Sequence, residues 1–134
     1  HRLQDSHLVV SDCVVVNEQL KTLMPSYFDF VNAKAGVVRN MVRTSSYIGC
    51  CMAFRREVLE LALPFPPHIP MHDFWIAMLA EFRFRIDFVH EPLVLYRRHG
   101  SANSFTAGES THPLAKRISF RINTLLPLFS RLLR

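Results

Sequence analysis

Residues 70–96 read PMHDFWIAMLAEFRFRIDFVHEPLVLY and carry one full alternation of helix and strand. Pro70 closes a stretch from Pro64 in which four prolines preclude regular structure. Directly after it, Asp73 or its neighbour can cap a helix. Phe74, Ala77, Met78, Glu81 and Phe82 follow at amphipathic helical spacing. Arg85 to Val89 then predicts a short strand, Glu91-Pro92 a turn, and Leu93 to Tyr96 a second strand.

Upstream, YIGCCMAF (47–54) is a continuous apolar run of strand length around Gly49. Arg55 to Leu63 has helical spacing and stops before Pro64. Ala35 to Arg43 is weakly helical through Val38, Met41 and Val42, and Met24 to Phe30 reads as loop. HLVVSDCVVVN (7–17) holds two Val-rich runs around Ser11-Asp12, predicting one strand or two short ones. Downstream, Arg97 to Glu109 reads as a polar loop. Pro113 to Arg134 reads as one basic amphipathic helix, or two separated at Pro127. Strands alternating with helices give an α/β class, with too few strands for a complete doubly wound domain.

Bulk composition narrows the function classes. The 134 residues are 49% hydrophobic and 20% charged, as expected for one modest folded domain. The net charge of +5 favours anionic partners: nucleotides, phospholipid head groups or nucleic acid. Cys13, Cys50 and Cys51 form neither a disulfide framework nor a zinc spacing, so they read as small buried residues in a reducing compartment. No apolar run reaches the roughly 18 residues of a membrane span. No signal peptide is evident, and a chain opening with His just before a strand reads as a fragment or processed product. HExxH and GxSxG are absent, so a zinc protease or serine hydrolase is unsupported. His1, His7, His68, His90 and His112 show no ligand spacing.

Four constellations remain. Asp73 follows the proline-rich loop at a helix start, where free N–H groups hold a carboxylate toward a cleft. It can serve as a general base, or only as a cap. Arg97, Arg98 and His99 follow a strand end with Gly100, Ser101 and Asn103. Arginines suit phosphate and imidazole suits a divalent metal, or the loop is merely solvated. Gly49 marks either a close approach by a ligand or a bulge. The tail from Pro113 either lies on an anionic membrane or packs its stripe on its own domain.

In this order, LVVSDCVVVNEQ, SYIGCCMAFRREVLELALPFP, MHDFWIAMLAE and VHEPLVLYRRHGSANS resemble family 2 glycosyltransferases, especially the rhamnosyltransferase-like members that build cell-surface polysaccharides. The resemblance covers most of the chain through short motifs whose order and spacing carry it. It implies a partial GT-A (Rossmann-like) sheet with flanking helices over residues 1–112, the acceptor-side portion of the domain, followed by a basic amphipathic helical tail over 113–134. It further implies that Gly49 lines the donor-sugar pocket and that Asp73 is the catalytic base. His72 stands where the family usually has its first acid. Trp75 would lie beside the acceptor, Arg97 and Arg98 would flank the diphosphate, and His99 would help hold Mg²⁺ or Mn²⁺. The implied donor is a nucleotide-diphosphate sugar and the implied acceptor a saccharide or lipid-linked sugar. The family's Asp-X-Asp motif and nucleotide-binding half are expected N-terminal to these residues, so the fragment should be inactive alone. The expected setting is cytoplasmic, peripheral on the inner face of the membrane. A non-catalytic, degenerate transferase domain docking through its tail is the alternative. A nucleic-acid binder is not expected, because no helix-turn-helix or RNA-binding signature is present.

Overall fold

The computed structural model describes residues 1–69, 71–99 and 114–133. Four strands and five α-helices make a mixed α/β fold among these residues: β1 (Leu8–Val16), β2 (Thr22–Met24), α1 (Tyr27–Val31), α2 (Val37–Val42), β3 (Met52–Phe54), α3 (Arg56–Ala62), α4 (His72–Arg83), β4 (Ile86–Arg97) and α5 (Leu114–Leu132). The polar loop expected from Arg97 lies outside the described residues from Gly100 onward, as does the junction between 112 and 113.

β1 is the organising strand. β4 runs parallel to it from Leu8↔Ile86 to Val16↔Arg97. With that edge occupied end to end, β2 and β3 share the other. β3 is antiparallel to Leu8–Val10 and β2 antiparallel to Val15–Val16. Leu8 and Val10 are buried, and so are Cys13 and Val15, so the inward face of β1 changes parity at Asp12-Cys13. The register with β4 shifts at the same place, where Ser11 pairs with Val89 and Asp12 with Pro92. β4 therefore bulges through His90-Glu91 instead of turning, and its two predicted strands are one. Proline donates no ladder bond, which suits Pro92 to the irregularity.

The bulge leaves Asp12 buried, and its carboxylate is fully partnered. Oδ1 accepts from the backbone N–H groups of Cys13 (2.7 Å) and Phe28 (2.9 Å), and Oδ2 accepts from the Ser26 hydroxyl (2.6 Å). Ser26 also caps α1 by accepting from Asp29 N–H. Ser-x-x-Asp is a capping pattern, and it places helix and strand where the sequence reads as loop. Tyr47–Phe54 departs from expectation too. Gly49–Cys51 form a 3-10 turn, and only Met52–Phe54 are strand.

α4 sits in the middle of the hydrophobic core. Every residue from Phe74 to Ala80 is buried, and the cluster joins them to Leu8, Val10, Val15, Val58, Ala62 and Leu128. The tail is one helix, with Pro127 inside it. It packs on the domain: Thr124 and Leu128 are buried, and Leu125 and Leu132 lie against the core. Its arginines also turn inward. Arg121 donates to the carbonyls of Asn40 (2.9 Å) and Arg43 (2.8 Å) at the end of α2. Arg131 donates to Leu63 (2.5 Å) and Pro64 (2.6 Å) just beyond α3. Helix ends leave carbonyls unpaired, and cations there are favourable. Arg121 lies 4.9 Å over the Phe74 ring and Arg131 6.0 Å from the Trp75 ring, so α5 lies across the first turn of α4.

Candidate functional site

The site is built where α4 begins. Met71 is the N-cap and makes no side-chain capping bond, so Asp73 sits inside the first turn rather than capping it. Its carboxylate still serves that turn, since Oδ1 accepts from Phe74 N–H at 2.8 Å. Oδ2 accepts from Gly49 N–H at 3.1 Å. This second bond joins residues 24 apart and brings together two positions singled out in the sequence.

Space at Gly49 is tight. A Cβ there would stand 3.1 Å from Asp73 Cβ and 3.3 Å from Asp73 Oδ2. Its amide is directed at the carboxylate, which explains why the apolar run does not extend as a strand. Asp73 is half-buried, so the carboxylate keeps a solvent-facing side. Each carboxylate oxygen can accept a further hydrogen bond.

The walls of the site are aromatic and thiol. His72 is exposed and meets Phe65 edge-on, with ring centroids 4.7 Å apart. Phe65 lies within the proline run, so nothing in periodicity marked it. Cys50 is exposed beside Asp73, and burial of its sulfur, then the neighbouring Cys51, pushes the thiol up to about 11. The hydrogen bond with Cys13, and then burial, push the Cys51 thiol up as well. Neither Cys50 nor Cys51 offers a thiolate nucleophile near neutral pH. Tyr27 lies behind them, its hydroxyl donating to Ser45 C=O at 2.8 Å; burial holds that phenol well above its ordinary value.

Trp75 corrects the expectation of an acceptor-facing aromatic. It is fully buried, and its indole N–H donates to Ala62 C=O at 3.0 Å, closing the end of α3. The arginines separate as well. Along β4, Val94 and Tyr96 pack against the core, whereas Leu93, Leu95 and Arg97 are exposed. Arg98 is half-buried and extends the ladder, its N–H donating to Val16 C=O at 2.8 Å. Arg97 is exposed at the last position of β4 and Arg98 half-buried just beyond it, so the two side chains leave the strand end in different surroundings.

His99 stands at the carboxyl end of β4, with Nδ1 3.9 Å from Glu18 Oε1 just past β1. Among the described residues no group of three His, Cys, Asp or Glu side chains could hold a metal. His99 and Glu18 are two possible donors at a strand end, fewer than a resident metal cage needs. Carboxyl ends of parallel strands are where open α/β sheets take ligands.

Comparison with profiles of protein families, with curated proteins and with solved structures finds no match.

Proposed function

We propose that this chain is the acceptor-side portion of an inverting, family 2-like glycosyltransferase of the GT-A fold. It would take part in moving a sugar from a nucleotide diphosphate to a saccharide or lipid-linked acceptor. The observation that carries this reading is the Gly49–Asp73 contact. It fixes a carboxylate at a helix start by two backbone N–H groups and leaves one side open. The order of sequence motifs supports it, and so does the exposed Phe65–His72 edge, which offers an apolar surface to a sugar ring.

Asp73 takes the proton of the acceptor hydroxyl as that oxygen bonds to the anomeric carbon. The bond from the anomeric carbon to the diphosphate oxygen breaks on the opposite face, and configuration inverts. Base and leaving group stand on opposite sides of the ring, as in inverting glycosidases. Arg98 and His99, which stand at the carboxyl end of β4, would serve the leaving group. His99 and Glu18 would help hold a Mg²⁺ or Mn²⁺, which when bound would supply charge neutralisation for the diphosphate.

The test is Asp73→Asn in the polypeptide as its source cells make it. Transfer should fall about 10²–10⁴-fold while nucleotide-sugar binding stays within about twofold. Unchanged transfer removes Asp73 from the chemistry. A second reading, a non-catalytic docking module, draws on His72 standing where an acid is expected. It takes precedence if the unaltered polypeptide binds nucleotide sugar but transfers nothing.

A further inference from the structure

Of the two edges of β4, β1 takes one, and among the described residues no strand takes the other. From Val94 to Arg97 the pairing with β1 is regular, and just beyond it Arg98 N–H donates to Val16 C=O. Backbone groups alternate in direction along a strand. Val94, Tyr96 and Arg98 therefore turn theirs to β1, while Leu95 and Arg97 turn theirs to the open edge. Free donors and acceptors on such an edge are a template for another strand.

The side chains along this edge identify that strand. Val94 and Tyr96 pack against the core, whereas Glu91, Leu93, Leu95 and Arg97 are exposed. Glu91 and Leu93 line a groove with Val9 and Ala53 on the sheet face opposite the core. Leu95 and Arg97 continue the row at every second residue. Leu93 and Leu95 are 65% and 66% exposed. The row reads acid, apolar, apolar, base. Turned by a two-fold axis through Val94, a second copy presents base, apolar, apolar, acid. Antiparallel pairing then sets Glu91 against Arg97 at both ends and Leu93 against Leu95 between them. Pro92 stands opposite Tyr96, whose backbone groups are committed to β1, so no bond is asked of the proline. Parallel pairing in register would put like charges side by side and would not close.

We propose that β4 pairs antiparallel with β4 of a second copy, joining two four-stranded sheets into one, with Glu91–Arg97 ion pairs at both ends of the seam. The inference stands independently of the transferase reading.

The experiment is sedimentation equilibrium of the polypeptide as its source cells make it, over a series of concentrations. A monomer–dimer equilibrium is expected. Glu91→Arg and Arg97→Glu each oppose like charges at both ends of the seam, and each should weaken the dimer by about tenfold or more. The double substitution Glu91→Arg/Arg97→Glu restores opposite charges and should return the dimer to within about threefold of the parent. Leu95→Lys, at the middle of the edge, should also weaken it by about tenfold or more. These side chains are exposed, so every variant should keep the parent's melting temperature. A parent that stays monomeric at every concentration, a dimer indifferent to Glu91→Arg and Leu95→Lys, or a double variant no stronger than the single ones overturns the proposal. So does a dimer lost on Leu126→Ser and kept on Leu95→Lys, since the outer face of α5 would then be the interface.

Discussion

α4 and α5 pack against each other yet treat their side chains in opposite ways. α4 buries Phe74 through Ala80 on all sides, and its working carboxylate stands at the one end where backbone N–H groups are free. α5 sends two arginines inward to helix-end carbonyls and leaves Leu126, Phe129 and Leu133 outside. In α4 the fold buries every apolar residue from Phe74 to Ala80 and leaves Phe82, near its end, exposed. In α5 it accounts for about half of the apolar residues, and it uses the charge where apolar contact is the usual choice. Amphipathic pattern alone therefore does not say which face of a helix turns inward, because long basic side chains can cap a neighbour's carbonyls.

Substitutions can break this contrast. The largest stability effect belongs to α4. Trp75→Ala empties a fully buried site and frees the Ala62 carbonyl, and should cost about 3–5 kcal/mol in urea denaturation. A loss under about 1 kcal/mol would mean that α4 is not the centre of the core. Arg131→Met comes next. It keeps much of the stem but abandons the Leu63 and Pro64 carbonyls, for an expected loss of about 1–3 kcal/mol. By contrast Leu126→Ser, on the outer face, should stay within about 0.5 kcal/mol of the parent. If the two α5 substitutions cost the same, the inner and outer faces are not distinct.

The last effect is nil at neutral pH. Tyr27 and Tyr47 are buried, and burial raises both phenols above their ordinary value of 10. The Tyr47 hydroxyl also donates to Glu81 of α4, which raises it further. With the folded value above the unfolded one, their stabilisation is complete below pH 10 and declines as pH rises beyond it. Ultraviolet titration of the folded chain should therefore find both phenols still protonated where free tyrosine has ionised. Full ionisation with the fold intact would contradict their burial.

Much of this architecture was legible in the sequence. The Val-rich run gave β1, the spacing after Pro70 gave α4, and Pro64 marked the end of α3. The contact of Gly49 with Asp73 was not, because a bond across 24 residues leaves no local pattern. That bond is also why an apolar run of strand length begins as a 3-10 turn. The bulge in β4 was hidden because Glu91-Pro92 signals a turn equally well. α1 was hidden because its cap, Ser26, follows Pro25. Trp75 was placed beside the acceptor by resemblance, whereas it is buried with its neighbours Phe74 and Ile76. The departure at Gly49–Cys51 is a long-range contact overriding a local preference.

The inward arginines also set an order of assembly. Arg121 reaches carbonyls 81 and 78 residues earlier in the chain, and Arg131 reaches others 68 and 67 residues earlier. Of the described elements, α5 is the last to leave the ribosome. Synthesis at about 5–20 residues per second puts roughly 2–10 s between the completion of α4 and that of α5. Through that interval the first turn of α4, with Phe74 and Trp75, lacks its cover. A nascent chain paused there presents an apolar surface to chaperones, and the arrival of α5 ends that exposure.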